Sequence, residues 1–489
     1  MSNALQALPV LRWPGTFSAN ATRVLARFFK PGSDDRVQNI LERVLKMTDE
    51  EVVSEMERVR REYAGRHRHF EELLLRHYAH IAHLVPASTS LSTERQLLLG
   101  SFFTMEYSVE AAALFNPSIV PHPDQGHVPA GSVRFIMSFR ATGEGHISSI
   151  VFRSGIIDSE NNIEFDPVSS HIETPEINQD RGYDRRMFEL KMDEIGACNA
   201  VTDRIFSQLP PHFEFTQVIE AMKDTRQKKL YDESLCRTTF DTLEWLAYSN
   251  YELKFHLHSI SERVIFPVSA NEQNGIEDAR FVLFTDEDGS KTYYATYTAY
   301  NGHRILPMLL ETEDFASFRI LTLNGKESQN KGMALFPRKI NGRYVMISRQ
   351  DGEHIHIMFS DHLHFWQSSQ IIRRPHVPWE FVQMGNCGSP LETDAGWLLI
   401  THGVGPMRKY CMGADLLELS DPSKVIARLE VPILSPNECE REGYVPNVVY
   451  SCGQMIHNGE LIIPYAMSDS KSAIASVPVS EILDRLLKR

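Results

Sequence analysis

The chain has 489 residues, 42% of them hydrophobic and 23% charged, which is enough to bury a large core and build roughly two to four domains. A formal net charge of -14 excludes a broad nucleic-acid-binding surface but leaves room for a local basic pocket. The six cysteines form no CxxC pair, the first residues carry no basic-then-apolar leader, and no run nears the roughly eighteen apolar residues of a bilayer span, so the expectation is a cytoplasmic protein without a membrane or nucleic-acid partner.

Taken in order, residues 1–33 read as an arm with a short strand over Thr22–Ala26. Residues 34–114 read as an α-helical extension. Ser33-Asp34-Asp35 caps a helix to Lys46, and Thr48-Asp49-Glu50-Glu51 is a capping-box pattern opening a helix to about Tyr63. Val52, Val53, Met56 and Val59 share one side of it. Helices are predicted over Phe70–Leu84 and Ser92–Leu114. The extension carries no chemistry and reads as a structural or oligomerisation element, so a homo-oligomer is expected.

The period changes at Phe115-Asn116-Pro117-Ser118, and residues 115–489 read as the β domain. Strands are predicted over Ser132–Arg140 and His146–Arg153, with a loop over 156–180. A helical insert at about 184–258 interrupts the strands, which resume at Val264. A helix over Val479–Leu487 closes the chain. Small acidic turns punctuate this region at Asp158, Asp314, Asp361 and Asp421, the last three spaced by 47 and 60 residues. That interval is near the size of a four-stranded propeller blade, although a β-sandwich fits too.

Four stretches carry candidate chemistry. Gly275-Ile276-Glu277-Asp278-Ala279-Arg280 sets two carboxylates and a guanidinium at the start of a strand, where an acid can be aimed into a pocket or simply be salt-bridged. Asn330-Lys331-Gly332 through Leu335-Phe336-Pro337-Arg338-Lys339-Ile340, with Arg349 closing the next strand, gathers cations that suit an anion or an ordinary surface. His354-Ile355-His356 and His362-Leu363-His364 place two histidines on one strand face, yet no carboxylate or cysteine completes a metal set, so no metal is expected. Gly385–Thr393 followed by Gly396–Val404 brings glycine turns, Trp397 and His402 together, as a carbohydrate pocket would. A Cys387–His402 nucleophilic pair is conceivable there, without any oxyanion hole beside it.

Glu277-Asp278-Ala279-Arg280, Leu335–Ile340, Gly396–Ile400 with His402-Gly403-Val404, and Val445-Pro446-Asn447-Val448-Val449 occur in one order. Together they resemble the β-mannoside phosphorylases of glycoside hydrolase family 130, over about 115–170 and 264–475. The resemblance implies a mainly β fold, a five-bladed β-propeller, and inverting phosphorolysis of a β-mannoside to α-mannose 1-phosphate. Inorganic phosphate is then a co-substrate and no cofactor is needed. The family's single catalytic Asp corresponds to Asp278, whose proton travels through a hydroxyl of the bound sugar. Its phosphate pocket corresponds to Asn116, Ser118, Arg140, Lys339, Arg349 and His354. Asp469 corresponds to a family Asp that contacts the sugar. Glu277, Arg280 and His402 are expected on the substrate side, Glu277 contacting the sugar or orienting the acid and Arg280 fixing the loop or charging the pocket. The chain departs from the family at Ala279, where proline is usual. The alternatives are an inverting β-mannosidase on the same fold and a non-catalytic carbohydrate-binding propeller. Linkage and acceptor sugar are not legible.

Overall fold

Alternating strands and acidic turns dominate the chain after Ala113. The structure is a computed structural model and describes residues 8–86, 89–179, 182–256, 258–302 and 305–488; the first seven residues of the predicted arm lie outside them. It is mainly β. Among the described residues, five antiparallel sheets have four or more strands. Sheet I is built from Ala113–Pro121, Val133–Thr142, Ser148–Ile157 and Ile163–Phe165, with Val264–Ile265 alongside. Sheet II runs through Ile276–Thr285, Lys291–Tyr300, Ile305–Thr312 and Ser317–Thr322. Sheet III holds Ala334–Leu335, Tyr344–Ser348, Ile355–Ser360 and Ser369–Arg373. Sheet IV holds Gln383–Asn386, Gly396–Val404, Tyr410–Leu417 and Val425–Arg428. Sheet V joins both ends of the chain, because Leu11–Arg12 pairs with Lys471–Pro478, which pairs with Glu460–Met467 and onward to Val449–Tyr450.

The acidic turns occupy one structural position. Asp158, Asp314, Asp361 and Asp421 each lie between the third and fourth strands of their sheets. At Asp158 and Asp314 the cause is local hydrogen bonding by the aspartate, whereas in the Asp361 turn the Ser360 hydroxyl accepts the His362 N–H. Asp158 Oδ1 accepts from the backbone N–H of Glu160 and Asn162, both at 2.8 Å, and Asp314 Oδ1 accepts from Ala316 and Ser317, also at 2.8 Å. Sheet V needs no such turn, since its outer strand comes from the N-terminal arm.

Helices α1 (Asp34–Leu45), α2 (Asp49–Tyr63), α3 (Phe70–Ile81) and α4 (Thr93–Phe102) form the N-terminal helical block. The Thr48 side chain caps α2 in a capping box with Glu51, and Val52, Met56 and Val59 are buried. The predicted helix over Ser92–Leu114 is corrected: α4 stops at Phe102, and Thr104–Ser108 is a strand paired with Val24–Phe28. That partner is some eighty residues away in sequence, so the local period cannot report it. A buried ion triad then ties the arm to sheet I. Arg23 Nε donates to Glu110 at 2.9 Å, and Arg153 donates to the same carboxylate at 2.9 Å.

Helices α5 (Arg185–Glu194), α6 (Ala200–Phe206), α7 (Phe215–Gln227) and α8 (Glu233–Tyr248) lie in the predicted insert and bury their own apolar cluster. The end of the insert is corrected too, since Tyr251–Lys254 is a strand that extends sheet II by pairing with Ser317–Ile320. Helix α9 (Val479–Leu487) spans the residues predicted for it and buries Val479, Ile482 and Leu486. Among the described residues no helix is long and apolar enough to cross a membrane.

Candidate active site

Two β-bulges face each other and create the site. Sheet I loses register between Phe115 and Ser118, and sheet II loses it between Glu277 and Arg280. Each bulge holds a non-glycine residue in left-handed backbone, Asn116 at φ 48° and Asp278 at φ 55°. Asn and Asp tolerate that region better than other side chains, and a bulge turns a side chain out of the strand's alternation. The two then meet: Asn116 Nδ2 donates to Asp278 Oδ1 at 2.7 Å. Gly275, at φ 123°, lets the strand start touch sheet I, where a Cβ would lie 2.4 Å from Ser148 Oγ.

Cations surround the carboxylates. Arg140, near the end of the second strand of sheet I, donates to Glu277 at 2.9 Å and to Asp278 at 3.3 Å. Lys331 donates to the other Glu277 oxygen at 2.5 Å. Arg280 Nη1 donates to the Asp278 backbone carbonyl at 3.0 Å, and Nη2 donates to Tyr450 Oη at 2.5 Å. Burial alone would raise the Asp278 pKa, but Arg140, Arg280, the Asn116 hydrogen bond and Lys331 together hold its carboxyl below the usual carboxylate value. Asp469 sits in the turn between Glu460–Met467 and Lys471–Pro478 of sheet V. Burial and the nearby Asp278 charge push it up to about 6 against the pull of Arg140 and Arg408.

A second cationic group lies on sheets III and IV. His402 Nδ1 sits 3.1 Å from the Asn386 carbonyl, which requires an N–H there and leaves Nε2 as the acceptor for Arg349 Nη1 at 3.3 Å. Burial, and then the Arg349 charge, hold the His402 pKa well below its ordinary value, so the ring is neutral. Asn386 Nδ2 also donates to the Gly332 carbonyl, fastening the loop that carries Lys331. The Tyr450 ring packs edge-on against His402 with centroids 5.0 Å apart, so it touches both groups.

The placement of the expected residues is uneven. Asn116, Arg140, Glu277, Asp278 and Arg280 come into direct contact, Asp469 lies within their field, and Arg349 joins His402. Ser118 is in the bulged strand but buried, and its hydroxyl accepts from Phe281 N–H at 3.1 Å, which is a strut between sheets. His354 contacts Asp351 at 2.7 Å and Arg374 at 3.2 Å. Lys339 is not brought in. It pairs with Asp286 at 2.8 Å, beyond the far end of the Ile276–Thr285 strand, about 25 Å from Asp278 at the usual strand rise. Lys331, on the same segment, is the lysine that reaches Glu277 instead. Its signal was present in the sequence: it precedes the first strand of its sheet, and Asp278 likewise lies at the start of its own.

The histidine pair does find a carboxylate. Asp351 Oδ2 lies 2.7 Å from His354 Nδ1 and 2.9 Å from His356 Nε2, correcting the expectation that no acid completes the set. A Cys387 nucleophile does not fit, because the thiol is buried and its pKa is pushed up to about 12.

A family model described as beta-1,4-mannooligosaccharide phosphorylase matches residues 246–488. A 1,2-beta-oligomannan phosphorylase of Thermoanaerobacter sp. (strain X514) is 37% identical over 235 residues, which is 44% of this chain and 74% of that protein. A beta-1,2-mannobiose phosphorylase of the same organism is 33% identical over 245 residues, 48% of this chain and 78% of that protein. Among solved structures, the beta-1,2-mannobiose phosphorylase from Listeria innocua with beta-1,2-mannobiose is 22% identical, covering 78% of this chain and 93% of that one at a TM-score of 0.45. With the Thermoanaerobacter oligomannan phosphorylase 37% identical and matched over 74% of its length, the chain belongs to glycoside hydrolase family 130.

Proposed function

We propose that the chain is an inverting β-mannoside phosphorylase, with its five large sheets arranged as the blades of a propeller around the Asp278 cluster. One observation carries the activity: a half-buried acid, Asp278, held among Arg140, Arg280 and Lys331, with Arg349 and His402 on the neighbouring sheets. Phosphate is already an anionic nucleophile. It needs cations to hold it in line with the anomeric carbon, not a second carboxylate to activate water. Arg140, Lys331 and Arg349 supply those cations. The relatives named as mannoside phosphorylases support the substrate class.

In this reading a phosphate oxygen forms the new bond to the anomeric carbon as the glycosidic C–O bond breaks. Asp278 supplies the proton that reaches the leaving oxygen through a sugar hydroxyl, and it ends ionised. The cations that depress the Asp278 pKa in the free protein are those a phosphate dianion would neutralise. Phosphate binding therefore raises the acid toward its protonated, working form. Glu277 and Asp469 line the sugar side. The test is product analysis of a β-mannobiose reaction with and without phosphate. Phosphate-dependent release of mannose 1-phosphate is expected, and equal cleavage without phosphate would overturn the reading in favour of a hydrolase.

A further inference from the structure

We propose that Tyr450 is a positioning residue for the acid: its hydroxyl oxygen anchors Arg280, and Arg280 fixes the backbone carbonyl of Asp278 within the bulge. The inference rests on the reading of Asp278 as the acid.

The bulge creates the need. Register pairs Glu277 with Thr298 and Arg280 with Thr296, so Asp278 stands outside the ladder. Its carbonyl is instead met by the Arg280 guanidinium at 3.0 Å. Left-handed backbone at an aspartate is strained and persists only where the surroundings over-determine it. Arg280 is 3% exposed, and its Nε has no partner among the described residues. Its two terminal nitrogens therefore bear the whole constraint, one on the Asp278 carbonyl and the other on Tyr450 Oη.

Tyr450 is itself well fixed. It lies in the Val449–Tyr450 strand of sheet V and is 8% exposed, with its ring edge-on to His402. One side chain thus connects the acid to the histidine that holds Arg349. Phenylalanine keeps the ring and the His402 contact and removes only the oxygen. Arg280 then loses one of its two anchors, and the bulge is free to relax away from the geometry that aims the carboxyl. Arg280 is also among the charges that depress the Asp278 pKa, so loosening it moves that pKa upward.

The experiment compares Tyr450→Phe with wild type in the full chain, after thermal melts show that both fold. The expected result is a ten- to thirtyfold fall in kcat, with KM for phosphate changed less than threefold. The alkaline limb of the pH–kcat profile, where an acid catalyst is lost, is expected to move to higher pH. A kcat within twofold of wild type, a loss confined to KM for phosphate, or an unmoved alkaline limb would overturn the proposal. A carbon-detected NMR titration of the Asp278 carboxyl, assigned with Asp278→Asn, reads the same tether without turnover. An upward shift in Tyr450→Phe supports the proposal and an unchanged titration overturns it. If the wild type shows no phosphate-dependent turnover, the phosphorylase reading fails separately, and the titration still decides the tether.

Discussion

The strand Ile276–Thr285 has a carboxylate–lysine pair beyond or near each end, and the two pairs differ chiefly in the charges that surround them. At one end Glu277 meets Lys331 and Arg140, with side-chain exposures of 11%, 35% and 19%, beside a bulge that holds Asp278 in left-handed backbone. At the other, Asp286 meets Lys339 in a turn, and the acid is 32% exposed. Asp286 accepts from Lys339 and from a backbone N–H, and its pKa is lowered chiefly by that lysine. Lys339 is 18% exposed, less than Lys331, but this pair stands alone, and an isolated, half-exposed pair contributes little. At the Asp278 end several charges share a half-buried volume, and Arg140, Arg280 and Lys331 together hold the Asp278 carboxyl below its usual value. Chemistry follows from this crowding and burial, which the residue types alone do not supply.

The largest effect that tests the contrast comes from the acids. Asp278→Asn is expected to lower kcat by about a thousandfold, within the range for losing a general acid, while Asp286→Asn stays within twofold of wild type. Steady-state kinetics on both variants decide it, and equal effects would erase the distinction between the two ends. The cations come next. Lys331→Met is expected to raise KM for phosphate ten- to a hundredfold, the scale of one charge-assisted hydrogen bond, and Lys339→Met is expected to leave it unchanged. A larger effect at Lys339 would restore it to the phosphate pocket.

A pH-dependent stability effect is smaller. Burial and the Asp278 charge raise Asp469 to about 6 in the folded chain. A raised folded pKa means that the stability tied to the protonated form is present below the unfolded value, near 3.8, and is lost as pH rises through about 6. Asp469→Asn cannot ionise. It is expected to raise the melting temperature by a few degrees at pH 7.5, from at most about 3 kcal/mol, and to change nothing at pH 4. A melting temperature that falls at pH 7.5 would show that Asp469 is held by its arginines rather than strained by Asp278. The smallest effect is expected at Ala279, which lies in the register break and is 5% exposed. No ladder bond uses that position, so Ala279→Pro is expected to keep kcat within threefold and the melting temperature within about two degrees. A collapse of either would show that the alanine is required by this bulge.

Much of the local architecture was legible beforehand. The Thr48 capping box opens α2, and α9 spans the residues its pattern marks. The acidic turns recur because an aspartate that accepts neighbouring backbone N–H groups favours a turn wherever it occurs. The family motifs named Asp278, and Arg140 and Arg349 stood out as arginines closing strands. Pairings across long separations were not legible. Thr104–Ser108 has a helix-like local pattern, and its partner, Val24–Phe28, lies in the arm. Tyr251–Lys254 follows on from the helical insert in sequence, and its partner strand begins at Ser317.

The sequence by itself determined which residue types are present, where strands turn and which strand start carries the acid, since these depend on neighbours a few positions apart. Only the tertiary structure decided that Lys331 rather than Lys339 faces Glu277, that Asn116 holds the Asp278 carboxyl, and that Tyr450 anchors Arg280. The two lysines are eight residues apart on one segment, and chemically they are the same. One precedes a strand and the other follows it, so a strand's length and direction carry them to opposite ends of the sheet, and only one reaches the buried cluster of charges.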